Sequence, residues 1–204
     1  MATRPSVGLY LLADATALRH EHLESVLRAG ARVLQYREKQ QLPSLANLRR
    51  ARQLCRQYGA LFVINDDLDL ALAVAADGVH LGRDDWPVAE ARARLGQSFW
   101  IGASCYGDLD RAAHALAEGA DYVAFGSFFA SATKPDAKAA PATILAQAHA
   151  RWTCPIVAIG GITPDNGGSL LAAGADLLAV ASGVWAAPDP EAATRRYLEL
   201  FRGG

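Results

Sequence analysis

The chain has 204 residues, 51% of them hydrophobic, with 20 Lys+Arg against 21 Asp+Glu and a formal net charge of −1. That balance excludes a general nucleic-acid or polyanion binder, which carries a basic excess, but leaves room for a local cation cluster that serves a small anion. The length suits a single α/β barrel with enough core to fold without a disulfide or metal staple.

Short apolar, β-branched or aromatic runs recur along the chain. Most are continuous, as in strands covered on both faces. The first two are Gly8–Ala13 and Val33–Tyr36; a segment rich in Leu, Ala and Arg, Pro43–Tyr58, then has helical spacing and precedes a third strand, Leu61–Ile64. A helix starting near Leu68 leads to the fourth strand, Gly78–Leu81, and one starting near Pro87 leads to the fifth, Trp100–Ala103. Leu109–Glu118 reads as helix, Tyr122–Phe125 as strand, Ile144–Arg151 as helix, Ile156–Ile159 as strand, Asn166–Ala173 as helix and Leu177–Val180 as the eighth strand. A final helix, Glu191–Phe201, puts Ala192, Tyr197, Leu198 and Phe201 largely on one side. Three corners repeat just before strands: Ala29-Gly30-Ala31, Glu118-Gly119-Ala120-Asp121 and Ala173-Gly174-Ala175-Asp176, with Ala76-Asp77-Gly78 a looser version. A glycine there ends a helix in a left-handed conformation, a structural role. Alternating strand and helix with no edge strand marked by proline or a charge run predicts a closed (β/α)8 TIM barrel, one domain over residues 1–204.

In such a barrel chemistry belongs where strands end, so polar residues there carry the functional reading. The second strand ends in Gln35-Tyr36-Arg37-Glu38-Lys39. Residues two apart face the same way, so Gln35, Arg37 and Lys39 converge, either on a diphosphate or as a solvated strand end with Glu38 as salt-bridge partner. Asn65-Asp66-Asp67 follows the third strand and Gly82-Arg83-Asp84-Asp85 the fourth. Asp67 and Asp84 suit helix capping, whereas Asp66 and Asp85, facing one cavity, suit a shared Mg²⁺. Ser104 closes the fifth strand as a hydrogen-bond donor, with no base nearby in sequence to make it a nucleophile. The sixth strand runs into Gly126–Lys134, where Ser131, Thr133 and Lys134 suggest a loop that closes over a ligand and Phe128-Phe129 is unusual for a polar connection. Gly160-Gly161 and Ala181-Ser182-Gly183 follow the last two strands, where barrels often bind phosphate through backbone N–H groups.

His80 reads as a packed, hydrogen-bonded residue, and His20, His22, His114 and His149 as surface. Trp86, Trp100, Trp152 and Trp185 read as packing residues, with Trp185 close enough to the last loop to border a pocket. Cys55, Cys105 and Cys154 fit no CxxC pattern and suit packing thiols in a reducing cytosol. Residues 1–6 are too short a stretch before the first strand to be a signal peptide, and Asp176 interrupts the longest alanine-rich stretch well before a membrane span is reached. Neither a membrane nor a nucleic-acid partner is therefore expected, and the chain reads as cytoplasmic.

Taken together, these segments resemble the thiamine-phosphate synthase family almost from end to end. The pieces that carry the resemblance are Leu9-Tyr10-Leu11-Leu12, Gln35-Tyr36-Arg37-Glu38-Lys39, Ile64-Asn65-Asp66, Gly78-Val79-His80-Leu81-Gly82 with Asp85, Ser131-Ala132-Thr133-Lys134 and Ile159-Gly160-Gly161-Ile162. The resemblance implies a transferase acting on small molecules, joining 4-amino-5-hydroxymethyl-2-methylpyrimidine diphosphate to a thiazole phosphate and releasing diphosphate. It implies a Mg²⁺ cofactor, a largely dissociative C–O cleavage and attack of the thiazole nitrogen on the resulting pyrimidine carbocation. Carried over to this chain, the segment Gln35, Tyr36, Arg37, Glu38 and Lys39, with Asn65, would hold the pyrimidine diphosphate, and Asp66 and Asp85 the Mg²⁺. Ser104 and Lys134 would touch the same substrate. Ser131, Ala132 and Thr133 would meet the thiazole phosphate, with Gly161, Ala181 and Ser182 on its phosphate. Arg37, Lys39 and Lys134 would be the catalytic cations.

Two positions depart from the family pattern: Arg83 stands where glutamine is usual, and Ser131 where threonine is usual. Arg83 either adds a cation near the metal or points outward, and Ser131 keeps the hydroxyl. Two other readings stand beside this one: a thiazole tautomerase-like isomerase, and a thiazole-phosphate-binding barrel without turnover. The presence of Lys39, Asp66, Asp85 and Lys134 argues against the isomerase, which needs no diphosphate apparatus.

Overall fold

The structure, a computed structural model, describes residues 4–19, 21–42, 44–130 and 140–202. Eight parallel strands close into a barrel in chain order: β1 (Gly8–Ala13), β2 (Val33–Tyr36), β3 (Leu61–Asn65), β4 (Gly78–Leu81), β5 (Trp100–Tyr106), β6 (Tyr122–Gly126), β7 (Ile156–Ile159) and β8 (Leu177–Val180), with β8 pairing back onto β1. The sequence reading places all eight, and three of them extend one to three residues further at the C-terminal end than it draws them. The helices around them are α1 (Ala15–Arg19), α2 (Leu23–Ala29), α3 (Leu45–Gln57), α4 (Leu68–Ala73), α5 (Val88–Leu95), α6 (Leu109–Ala117), α7 (Thr143–Arg151), α8 (Gly167–Ala172), α9 (Ser182–Trp185) and α10 (Pro190–Glu199). Among the described residues no helix is long and apolar enough to cross a membrane.

Alternation along each strand divides the core in two. Tyr10, Val33, Leu61, Val63, Trp100, Tyr122, Ala124, Val157, Leu177 and Ala179 fill the barrel. The intervening residues, such as Leu11, Leu34, Phe62, Val79, Ile101, Phe125 and Leu178, pack outward against the helices. Trp100 and Tyr122 stack inside, with ring centroids 4.0 Å apart. Gly102 makes this possible, because a Cβ there would stand 1.9 Å from the Tyr122 ring. Its missing side chain lets that ring cross the barrel.

The repeated corners are structural, as read, and more specific than the glycine alone implies. Gly30, Gly119 and Gly174 adopt φ of 121°, 101° and 105°. In the looser corner before β4, and two residues after Gly119 and Gly174, Asp77, Asp121 and Asp176 each clamp the start of the preceding strand. Their N–H groups donate to the carbonyls of Phe62, Ile101 and Ile156, and their carboxylates accept from the N–H groups of the same three residues at 2.8–2.9 Å. Asp121 also receives Arg92 and Arg4, both at 2.6 Å. Asp121→Ala is expected to lower the unfolding free energy by about 2 kcal/mol, since it leaves the Ile101 N–H without its charged acceptor. Denaturant titration checks this, and an unchanged midpoint would contradict it.

Candidate active site

The C-terminal ends of the strands gather most of the predicted site residues around one mouth. Gln35 is the last inward-facing residue of β2 and is only 3% exposed. Its amide nitrogen donates to the Tyr10 hydroxyl at 2.8 Å. Arg37 and Lys39 lie past the end of β2, the first half-buried and the second exposed. The other two residues of that segment do different work. Tyr36 is buried in the outer core, on the opposite side of the strand from Gln35. Glu38 turns back onto the backbone, accepting from Ala15 N–H at 3.1 Å and from Lys39 and Gln40 N–H at 2.7 Å each. These amide donors hold its carboxyl below the usual range. Through these bonds Glu38 fixes the loop that presents Arg37 and Lys39.

Asp66 follows β3 in a left-handed conformation, φ 64°, which aspartate tolerates better than most side chains. Its N–H donates to the His80 carbonyl at 2.9 Å, tying it to β4, and Asn65 donates its side-chain amide to the Asp66 carboxyl. Asp85 curls back so that its carboxylate accepts from Gly82 N–H at 2.7 Å; a side chain at Gly82 would collide with it. Burial, a hydrogen bond with Asp85 and the charge of Asp85 push the Asp66 carboxyl up to about 7, against the opposing pull of Arg37 and Lys39. The two carboxyls therefore share one small space, with both cations acting on the same point. Asp67 caps α4 by accepting from Leu70 N–H at 2.8 Å, as expected. Asp84 does not cap α5; Pro87 holds that position without a side-chain bond, and Asp84 is exposed.

His80 is buried, with Nδ1 3.0 Å from the Tyr122 hydroxyl and Nε2 2.8 Å from Ser104 Oγ. Burial, helped by Arg37, lowers its pKa to about 4. The unfolded chain protonates this imidazole near 6.5, so between the two values it binds the extra proton. Acidification through that window is expected to remove up to about 3 kcal/mol of stability, and His80→Gln to flatten that part of the curve. Denaturation from pH 7 to pH 4 checks this; an equal slope in wild type and variant would contradict it.

Beside Ser104, Arg111 donates to the Ser104 carbonyl at 2.7 Å and the Gly82 carbonyl at 3.0 Å, locking the ends of β4 and β5 together. The Arg83 guanidinium lies over the ring of Tyr106, 4.7 Å from its centroid. Trp86 is 42% exposed beneath Arg94, and so is not the packing residue expected. Phe128 is buried in the outer core and Phe129 packs partly against it, which accounts for the aromatic pair. Ser131, Ala132, Thr133 and Lys134 lie outside the described residues.

Gly160 and Gly161 have φ of 107° and 61° and run against the start of the β6–α7 connection. Phe128 and Phe129 N–H groups donate to the carbonyls of Ile159 and Gly160 at 3.2 and 3.1 Å. Ala181, Ser182 and Gly183 are exposed at the start of α9. Tyr197 from α10 lies beneath both loops, its hydroxyl donating to the Ile162 carbonyl at 2.9 Å and sitting where a side chain at Gly183 would be. Asn166 steadies the seventh loop, accepting from Thr163 N–H and donating to the Gly161 carbonyl. Trp185 donates to the Leu12 carbonyl at 2.7 Å, joining α9 to β1. The sequence reading gives Arg111, Asn166 and Tyr197 no supporting role, because only the register of neighbouring units shows which carbonyls they reach.

A family model described as thiamine monophosphate synthase matches residues 9–184. A thiamine-phosphate synthase from Halorhodospira halophila is 50% identical over 99% of both chains, and one from Acidithiobacillus ferrooxidans is 51% identical over 95% of this chain and 94% of the other. Among solved structures, a thiamine phosphate pyrophosphorylase from Pyrococcus furiosus superposes with a TM-score of 0.83 at 35% identity, covering 97% of this chain and 96% of that one. A 3-hexulose-6-phosphate synthase at 15% identity and TM-score 0.67 shares the barrel alone. With the match spanning every strand end described above, the chain belongs to the thiamine monophosphate synthase family.

Proposed function

We propose that the protein joins 4-amino-5-hydroxymethyl-2-methylpyrimidine diphosphate to a thiazole phosphate, giving thiamine phosphate and diphosphate. The observation that carries this reading is the Asp66–Asp85 carboxyl pair with the charges of Arg37 and Lys39 acting on it at one barrel mouth. Two adjoining carboxyls, one of them driven toward protonation by burial and by its neighbour, fit a divalent cation, and a diphosphate beside them supplies the remaining hard oxygen ligands. Asp66 and Asp85 would hold Mg²⁺, which when bound adds positive charge at the departing diphosphate.

The chain's own residues do the rest. Arg37 and Lys39, presented by the loop that Glu38 fixes, bind the diphosphate and favour its departure as charge builds on the leaving oxygen. Gln35 and Ser104 orient the pyrimidine ring. Backbone N–H groups around Gly161, Ala181 and Ser182 bind the thiazole phosphate and set its ring nitrogen against the reacting carbon. The nucleophile is a neutral aromatic nitrogen with a free lone pair, so no strong general base is needed. Lys134, with Ser131 and Thr133, completes the mouth in this reading, which for those three rests on the family's motif.

Mixing both substrates with Mg²⁺ and following diphosphate tests the proposal: release should require both substrates and the metal. Tight binding of thiazole phosphate with no diphosphate release would overturn it in favour of a phosphate-binding barrel or an isomerase. Lys134→Ala is expected to lower turnover by about 10²-fold while weakening thiazole-phosphate binding far less. Equal losses, read from steady-state kinetics and direct titration, would remove its role at the diphosphate.

A further inference from the structure

Inside the barrel, five polar side chains form an unbroken line from one side of the mouth to the other. Gln35 Nε2 donates to Tyr10 Oη at 2.8 Å. Tyr10 Oη lies 2.9 Å from Tyr122 Oη, which lies 3.0 Å from His80 Nδ1. His80 Nε2 lies 2.8 Å from Ser104 Oγ. Tyr10, Tyr122 and His80 are buried, so each proton on the line needs an acceptor within it.

Counting those protons fixes a direction. Tyr10 receives Gln35, so its own proton must go to Tyr122, and the Tyr122 proton then goes to His80 Nδ1. His80 carries its single proton on Nε2 and gives it to Ser104 Oγ. The opposite order requires the Gln35 amide turned over, its oxygen on Tyr10 and its NH2 group toward the ligand, where it would meet the exocyclic N–H of an aminopyrimidine donor against donor. We propose that this one-way chain makes His80, Tyr122 and Tyr10 positioning residues, fixing Ser104 as a hydrogen-bond donor and the Gln35 carbonyl oxygen as an acceptor toward the pyrimidine. A 4-aminopyrimidine offers the matching groups, a ring nitrogen with a lone pair and an exocyclic N–H. The inference rests on the proposed placement of that ring at the mouth, but the order of the chain is a property of the ligand-free protein and is tested there.

Nitrogen NMR of the labelled imidazole in the full-length, ligand-free protein reads the His80 tautomer directly. The expected result is the Nε2–H form in wild type. In Gln35→Glu at about pH 8.5, an ionised carboxylate can only accept, so the line reverses and His80 switches to the Nδ1–H form. Adding Tyr122→Phe to that variant should abolish the switch. An Nδ1–H form in wild type, or a tautomer that ignores residue 35, would overturn the proposal, whether or not the protein releases diphosphate. Because the wild-type tautomer is itself a readout, a variant that fails to fold does not shield the idea. In the active enzyme, Tyr122→Phe should raise KM for the pyrimidine substrate about tenfold and leave KM for thiazole phosphate within about twofold. Equal changes in both, with wild-type activity present, would reduce Tyr122 to a packing residue and end the positioning role.

Discussion

Asp66→Asn is expected to cut diphosphate release by about 10³-fold and to remove its dependence on Mg²⁺, with no loss of stability in metal-free buffer. The substitution keeps the shape of the side chain, and asparagine tolerates the left-handed backbone at this position, φ 64°. What changes is charge. In the metal-free protein burial first, and then the hydrogen bond and charge of Asp85, raise the Asp66 carboxyl to about 7. Removing one member relieves that repulsion, so the thermal midpoint without metal should hold or rise. The same change halves the anionic ligand set for a divalent cation. Activity and stability should therefore move independently, which separates a metal ligand from a residue that merely supports the β3 end. Steady-state diphosphate release across a Mg²⁺ titration, with calorimetry in chelator, checks both halves. Retained activity that still rises with Mg²⁺ would remove Asp66 from the metal assignment.

Gly161→Ala is expected to lower kcat/KM for thiazole phosphate by about 10²–10³-fold, through displacement of backbone rather than loss of any side chain. Gly161 has φ 61°, and a Cβ there would stand 2.5 Å from the Ala130 carbonyl and 2.7 Å from that of Phe129. Both neighbours are main chain and cannot rotate aside as a side chain would. Phe129 N–H is moreover bonded to the Gly160 carbonyl at 3.1 Å. The added methyl therefore moves either the proposed phosphate-binding backbone or the segment that leads into Ser131 and Lys134. The cost in stability should be about 1–3 kcal/mol, small enough for the folded protein to be assayed. Kinetics with each substrate varied in turn check the prediction, and a loss below about fivefold would show that the two loops are not mechanically joined.

The strands were legible because they are covered on both faces, which leaves short continuous apolar runs such as Ile156–Ile159 and Leu177–Val180 with few alternatives. The corner glycines were legible for a similar local reason. The two short helices after β1, α1 and α2, carry too few residues to establish a period, and the sequence reading gives neither a range, although it ends a helix at the Gly30 corner. At the site, the residue types that meet charge were visible at strand ends: Arg37, Lys39, Asp66 and Asp85. Glu38 was not separable from them, because only the fold shows the three N–H groups its carboxylate meets. Tyr10 and Tyr122 read as apolar strand residues, since the line that joins them to His80 and Gln35 spans 112 residues of sequence between the two tyrosines and exists only once the barrel closes. Arg111, Asn166 and Tyr197 act on carbonyls of neighbouring units, contacts that register creates and composition does not mark.

The central claim is spatial: a carboxyl-held divalent ion and the two cations after β2 meet the same diphosphate at one mouth of the barrel. Crystals grown with Mn²⁺ and diphosphate, measured at the manganese absorption edge, test it most directly. The expected result is an anomalous peak between Asp66 and Asp85, with diphosphate oxygens on the ion and on Arg37 and Lys39. Manganese bound elsewhere, or diphosphate seated away from those four side chains, would contradict the account.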